Sequence, residues 1–172
     1  MKRSFLFVVF ILAVFTGFSQ ADSTAPLYLR FPILPSFKLT KVPDSTSFTK
    51  QDLKKNKPTI VMIFSPDCEH CQEETKMLTA NIGLFKKAQI IMASPTEYRF
   101  LRAFYDEYKI AGHSNIIMGR DPGYYFGTFY KVRSFPAIFI YDKKGNLITS
   151  FSGETPIKEI ADALKLPSPY NL

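Results

Sequence analysis

Histidine is scarce in this chain: His70 and His113 are the only two among 172 residues. A tetrahedral zinc site needs about four well-placed nitrogen or sulfur ligands. Metal chemistry would therefore have to draw on both cysteines as well. Cysteine is equally scarce, with only Cys68 and Cys71, spaced C-x-x-C. A crosslink stabilises more as the loop it closes grows. This loop is minimal, so the pair makes a poor structural staple and reads as functional. Tryptophan is absent, but 17 Phe and nine Tyr can fill a sizeable core. Long blocks of one charge are also absent. The formal net charge is +7, yet the basic residues are scattered among acids. That describes a solvated basic surface with a mild preference for anionic partners, and no nucleic-acid partner is expected.

What is present begins with a targeting segment. Lys2-Arg3 is a positive n-region, Phe5 to Phe15 an unbroken apolar h-region, and Ser19-Gln20-Ala21 a small-residue cleavage site. Residues 1–21 are therefore expected to be a secretory signal. An uncleaved anchor is the weaker reading, because the apolar core falls short of the ~18 residues a spanning helix needs. No cysteine near the cleavage site could take a lipid. Removing residues 1–21 takes away Lys2 and Arg3 and no acid, which lowers the formal charge from +7 to +5. Export would put the cysteines in an oxidising, periplasmic or otherwise extracytoplasmic compartment.

Residues 22–35 carry Pro26, Pro32 and Pro35 and read as an extended leader to a domain at 36–172. Ser36 to Thr40 alternates like a short strand, and Ser47 to Lys55 suggests a short helix. Thr59 to Phe64 is a continuous apolar run, as expected of a strand covered on both faces. A helical pattern runs from Glu69 to about Thr79. Gln89 to Ala93 is a second buried strand. Ser94-Pro95-Thr96-Glu97 has the form of a capped helix start. The helix it opens runs to Lys109, with Phe100, Phe104 and Tyr108 expected in the core. Ile116 to Met118 is a short strand, and Asp121 to Tyr130 an aromatic helical stretch. Ala137 to Tyr141 and Leu147 to Phe151 form a hairpin about Asp142–Asn146. Thr155-Pro156 opens a last helix through Leu164. Strands alternating with helices and closing on a hairpin predict an α/β fold. A central mixed sheet is expected, with helices on both faces and one antiparallel edge.

The two cysteines lie where a buried strand gives way to a helix. A helix N-terminus carries partial positive charge, which favours a thiolate. The first sulfur of C-x-x-C is the exposed one and the second lies a turn inside. Cys68 is thus the expected nucleophile toward a substrate disulfide, and Cys71 the thiol that resolves the mixed disulfide. A cationic His70 would favour the Cys68 thiolate and oxidant behaviour. Asp67 and Glu69 flank Cys68 with negative charge and favour reductant behaviour. From the residues alone the direction stays open.

Several motifs together resemble the exported thioredoxin-like proteins of the TlpA/ResA type. They are Lys57-Pro58 and the apolar strand, then Ser65-Pro66-Asp67-Cys68-Glu69-His70-Cys71 with Glu74. Phe37-Lys38-Leu39, Ser134-Phe135-Pro136-Ala137, the Asp142–Asn146 hairpin and Gly153 also match. The likeness spans residues 35–166 and implies a thioredoxin-like fold. It implies a cis Phe135–Pro136 bond facing the cysteines, with Phe135 backbone groups pairing to a bound substrate strand. It implies that Glu74 tunes the cysteines, and that a membrane thiol carrier supplies electrons. Three positions depart from the pattern. Asp67 stands where the family has Trp, Thr75 where it often has Pro, and Met62 where thioredoxin has a buried acid.

The expectation is an extracytoplasmic thiol–disulfide oxidoreductase without a cofactor, reducing disulfide-bearing proteins and re-reduced by a thiol donor. Two alternatives stand beside it. A peroxiredoxin would use Pro-x-x-x-Thr/Ser-x-x-Cys; Ser65 fits the hydroxyl position, but Val61 occupies the proline position. A metal-binding module would use Cys68, Cys71 and His70 or His113.

Overall fold

The computed structural model describes residues 24–170. The expected signal segment, 1–21, lies outside them. Strand β3 (Thr59–Ile63) is the centre of the sheet, and all five of its residues are buried. β-Branched and other apolar residues on both faces suit such a strand. It pairs in parallel with β4 (Gln89–Ser94) and antiparallel with β6 (Ala137–Tyr141). β4 pairs in parallel with β5 (Ile116–Arg120). Antiparallel to β5 lies β1 (Lys38–Val42), which carries β2 (Ser47–Thr49). On the other side β6 pairs with β7 (Leu147–Ser152). The order is β2-β1-β5-β4-β3-β6-β7.

The period-two alternation of β3 divides the core into two layers. Ile60 and Met62 face one layer with Leu78, Leu101, Phe104 and Ile160. Those four stand on helices α2 (Glu69–Ala80), α3 (Tyr98–Glu107) and α5 (Ile157–Ala163). Val61 and Ile63 face the other layer with Phe126, Phe129 and Tyr130 of helix α4 (Tyr125–Tyr130). The chain before β1 covers this second face. It includes a single turn of helix, α1 (Leu27–Arg30), inside the segment expected to be extended. Tyr28 packs edge-on against Phe139, with ring centroids 5.1 Å apart. The Leu34 N–H donates to the Gly145 carbonyl at 2.7 Å. The α/β architecture with helices on both faces is therefore as the sequence predicts.

Four local expectations are corrected. Ser47 to Lys55 forms β2 and a 3₁₀ turn (Lys50–Asp52), not a helix. Asp52 Oδ2 accepts from Thr49 N–H and hydroxyl at 2.8 and 2.7 Å, while Phe48 pairs with Leu39, so sheet pairing overrides local propensity. This hairpin makes both sheet edges antiparallel instead of one. Ser94 is not a helix cap: it closes β4, and α3 begins at Tyr98 after Glu97. The Ser94 hydroxyl instead accepts the Thr96 N–H at 3.3 Å. Finally, Phe100 is 49 % exposed and is no part of the core.

Candidate functional site

The site grows out of the C-terminal end of β3. Pairing of Ile63 with Ala137 sets the register between β3 and β6. That register brings the segment just before β6, Phe135-Pro136, beside the segment just after β3. The Phe135–Pro136 peptide is cis, as the resemblance implied. Gly153 N–H, at the end of β7, donates to the Pro136 carbonyl at 2.8 Å and holds this loop.

Cys68 is the N-cap of α2. Its carbonyl accepts from Cys71 N–H and Gln72 N–H, both at 3.0 Å, and so opens the helix. The Gln72 amide ties the helix back to the Pro66 carbonyl at 2.9 Å. Cys68 is half-buried, and its Sγ lies 3.8 Å from the Phe135 carbonyl oxygen. Cys71, one turn on, is fully buried. Burial pushes the Cys71 thiol far up, against a weaker opposing hydrogen bond with the Ser65 backbone. Both thiols are free. The arrangement is one accessible sulfur at the positive end of a helix, with a second sulfur protected beneath it.

Glu74 lies a further turn inside and is 2 % exposed. Its Oε2 accepts the Thr155 N–H at 2.8 Å, while Oε1 has no hydrogen-bond partner. Burial raises the Glu74 pKa, the Thr155 N–H opposes that rise, and Glu154 adds to it. The carboxyl therefore sits under the cysteine helix and joins it to the loop after β7. Thr155 was not legible as a site residue, because its contribution is a backbone N–H and leaves no side-chain signal.

The other expected tuning residues are exposed, and the Asp67 charge adds to the rise of the Cys71 pKa. His70 is exposed and meets Glu154, Nδ1 to Oε2 at 3.0 Å. Asp67 is exposed and accepts a hydrogen bond from the Ser65 hydroxyl. Glu69 lies exposed in the first turn of α2. Beside Asp67 a groove of about 400 Å³ runs toward α3, with Phe100 and Glu107 on its far bank. Sequence reasoning missed this bank because Phe100 falls on an apolar helical stripe. His113 precedes β5, at the opposite end of the parallel strands from Cys68. No three His, Cys, Asp or Glu side chains converge on a metal-sized site among the described residues.

Comparison with known proteins shows the family and the fold. Residues 33–150 match the family model described as AhpC/TSA. The chain belongs to the AhpC/TSA family. Solved structures similar to this AhpC/TSA member share its thioredoxin-like fold. A thioredoxin-like protein from Aeropyrum pernix superposes with a TM-score of 0.62 at 19% identity, over 76% of this chain and 88% of that one. A secreted Mycobacterium tuberculosis disulfide oxidoreductase, homologous to E. coli DsbE, gives 0.61 at 18% identity, over 75% and 94%. Peroxidoxin BcpB from Mycobacterium tuberculosis gives 0.66 at 13% identity, over 77% and 94%. A search of the curated proteins finds no match.

Proposed function

We propose that this chain is an extracytoplasmic thiol–disulfide oxidoreductase of the TlpA/ResA type that reduces protein disulfides. One observation carries the reading: Cys68 is half-exposed at a helix N-cap, and Cys71 is fully buried one turn inside. Cys68, as thiolate, attacks one sulfur of a substrate disulfide. The substrate S–S bond breaks as the Cys68–substrate bond forms, and the departing thiolate takes a proton. Cys71 then gives up its proton and attacks Cys68 Sγ, which releases the second substrate thiol. Two electrons pass to the substrate, and the protein is left with a Cys68–Cys71 disulfide. A thiol electron donor, by resemblance a membrane carrier, reduces it again.

Burial that holds the Cys71 thiol protonated delays resolution until substrate is attached. Glu74, joined to Thr155 beneath the helix, is the buried group that tunes this step. Phe135 offers its backbone to the substrate strand on the far side of Cys68. Export rests on the signal-like residues 1–21. The described residues contain no helix long and apolar enough to cross a membrane.

Family membership and the peroxidoxin neighbour favour a second reading, a thiol peroxidase. Against it, the Ser65 hydroxyl donates to Asp67, and Val61 lies in the peroxiredoxin proline position. Insulin-disulfide reduction and peroxide consumption by the dithiol form separate the two. We expect Cys68→Ser to abolish insulin reduction and Cys71→Ser to accumulate a mixed disulfide. Full insulin reduction by Cys68→Ser would overturn the mechanism. The reduction potential decides direction: a value near −270 mV fits a reductant, and one near −120 mV an oxidant.

A further inference from the structure

The end of the sheet opposite the cysteines has an unusual surface. A hollow of about 720 Å³ opens there, with Leu84, Ala161 and Leu164 among its apolar residues. Lys57, Lys86, Lys87, Lys143 and Lys165 line it, and no acid does. The topology explains the gathering. Lys57 precedes β3, and Lys86 and Lys87 precede β4. Lys143 follows the antiparallel β6, and Lys165 ends the excursion of α5. Four of these lysines have no acidic partner among the described residues; only Lys165 does, with Asp162.

Three acids near this pole are engaged. Asp162 also pairs with Lys158, Asp142 accepts backbone N–H groups of the hairpin turn, and Asp52 is bonded to Thr49. At the cysteine pole the charges are mixed, since Asp67, Glu69, Glu97 and Glu154 follow strand ends there while Arg99 follows β4, Arg120 closes β5, and Lys131 and Arg133 precede β6. The molecule is therefore uniformly basic at one end and mixed in charge around Cys68. Leu84 stands out at the basic end, 55 % exposed on the 3₁₀ turn Ile82–Phe85.

We propose that this lysine-rimmed pole docks on an anionic phospholipid bilayer and so turns Cys68 away from the membrane. Lysine is a compact charge on a flexible stem and adapts to mobile headgroups, and no arginine fork lines the hollow to read a shaped acidic partner. Apolar side chains within a ring of lysines are the pattern of interfacial binding. The mixed charge around Cys68 offers no comparable attraction, so the lysine rim sets the orientation. This proposal rests neither on the thiol chemistry nor on the fate of residues 1–21.

The chain has no tryptophan, so Leu84→Trp and Phe100→Trp each create a unique reporter at an exposed site, one per pole. Full-length variants are titrated with phosphatidylglycerol/phosphatidylcholine vesicles and with phosphatidylcholine vesicles. We expect the Leu84→Trp emission to shift to the blue on anionic vesicles only, and Phe100→Trp to stay unshifted. Adding Lys86→Glu and Lys87→Glu to Leu84→Trp should weaken binding by about thirtyfold or more, and high salt should act likewise. Insertion through the apolar run at residues 5–15 would act on neutral vesicles equally. No shift at position 84, an equal shift at position 100, or binding indifferent to the lysine reversals would overturn the proposal. So would poly-glutamate shifting the position-84 reporter as far as vesicles do, since an acidic polypeptide would then be the occupant.

Discussion

Glu74 is a carboxyl whose chemistry is changed by folding. Its carboxyl is buried with one oxygen bonded to the Thr155 N–H and the other without a partner. Desolvation raises its pKa above the ordinary 4.5. A raised folded pKa means that the protonated form is favoured in the folded state. Its contribution to stability is then fully present below about pH 4.5. The contribution is lost as pH rises through the higher folded value, where a charged carboxylate must stay buried. Glu74→Gln keeps an acceptor for Thr155 and removes the titration. Urea unfolding across pH should find wild type and Glu74→Gln alike near pH 4, with wild type falling behind as pH rises. Parallel curves across the whole range would mean that Glu74 stays uncharged or is solvated. Cys71 is shifted by the same force, burial, and lies one helical turn away, so the two titrations belong to one buried patch.

At the scale of elements, close approach between strands decides what each position tolerates. Gly119 in β5 lies against β1, and a Cβ there would sit 2.9 Å from Leu39 Cβ and 3.2 Å from the Thr40 carbonyl oxygen. Backbone cannot step aside as a side-chain tip can. Gly119→Ala should therefore cost roughly 1–3 kcal/mol, the range for overpacking, as measured by chemical denaturation. Elements of this kind were unequally legible. β3 could be read from Thr59–Phe64, because a strand buried on both faces writes its burial directly as an apolar run. α2 could be read from its polar, helix-forming composition after Cys68. β2 could not, since three residues of sheet edge take their conformation from Leu39 and Lys38 opposite them. Ser94-Pro95 misled for a related reason. Its capping pattern is local, but Ser94 is held as the sixth residue of β4 by pairing with Arg120.

For the molecule as a whole, the segment before β1 acts as a strap across one face of the sheet. Tyr28 joins it to Phe139 and Tyr130, at centroid distances of 5.1 and 5.8 Å. Leu34 is buried behind the hairpin. Two ring contacts and a half-buried side chain are worth about 1–3 kcal/mol together. Tyr28→Ala should lower stability by that amount and expose residues 24–31 to proteases while leaving the cysteine helix protected. Limited proteolysis read by mass spectrometry checks both parts. The strap was not legible because Pro26, Pro32 and Pro35 mark it only as non-regular chain. What it packs on is formed from α4 and β6, about a hundred residues later.

The amino-acid sequence by itself determined the C-x-x-C pair, its position between a buried strand and a helix, and the alternating α/β frame. These follow from local pattern: period, apolar runs and the spacing of two sulfurs. Tertiary structure alone decided which neighbours the cysteines have. The register of β3 against β6 brings Phe135 to Cys68, and the loop after β7 supplies Thr155 to Glu74. The return of α5 and the β6–β7 turn gather scattered lysines at one pole. It also paired His70 with Glu154 and left Phe100 exposed. Such contacts depend on chain segments that meet only after the sheet has closed, so spacing in the sequence does not encode them.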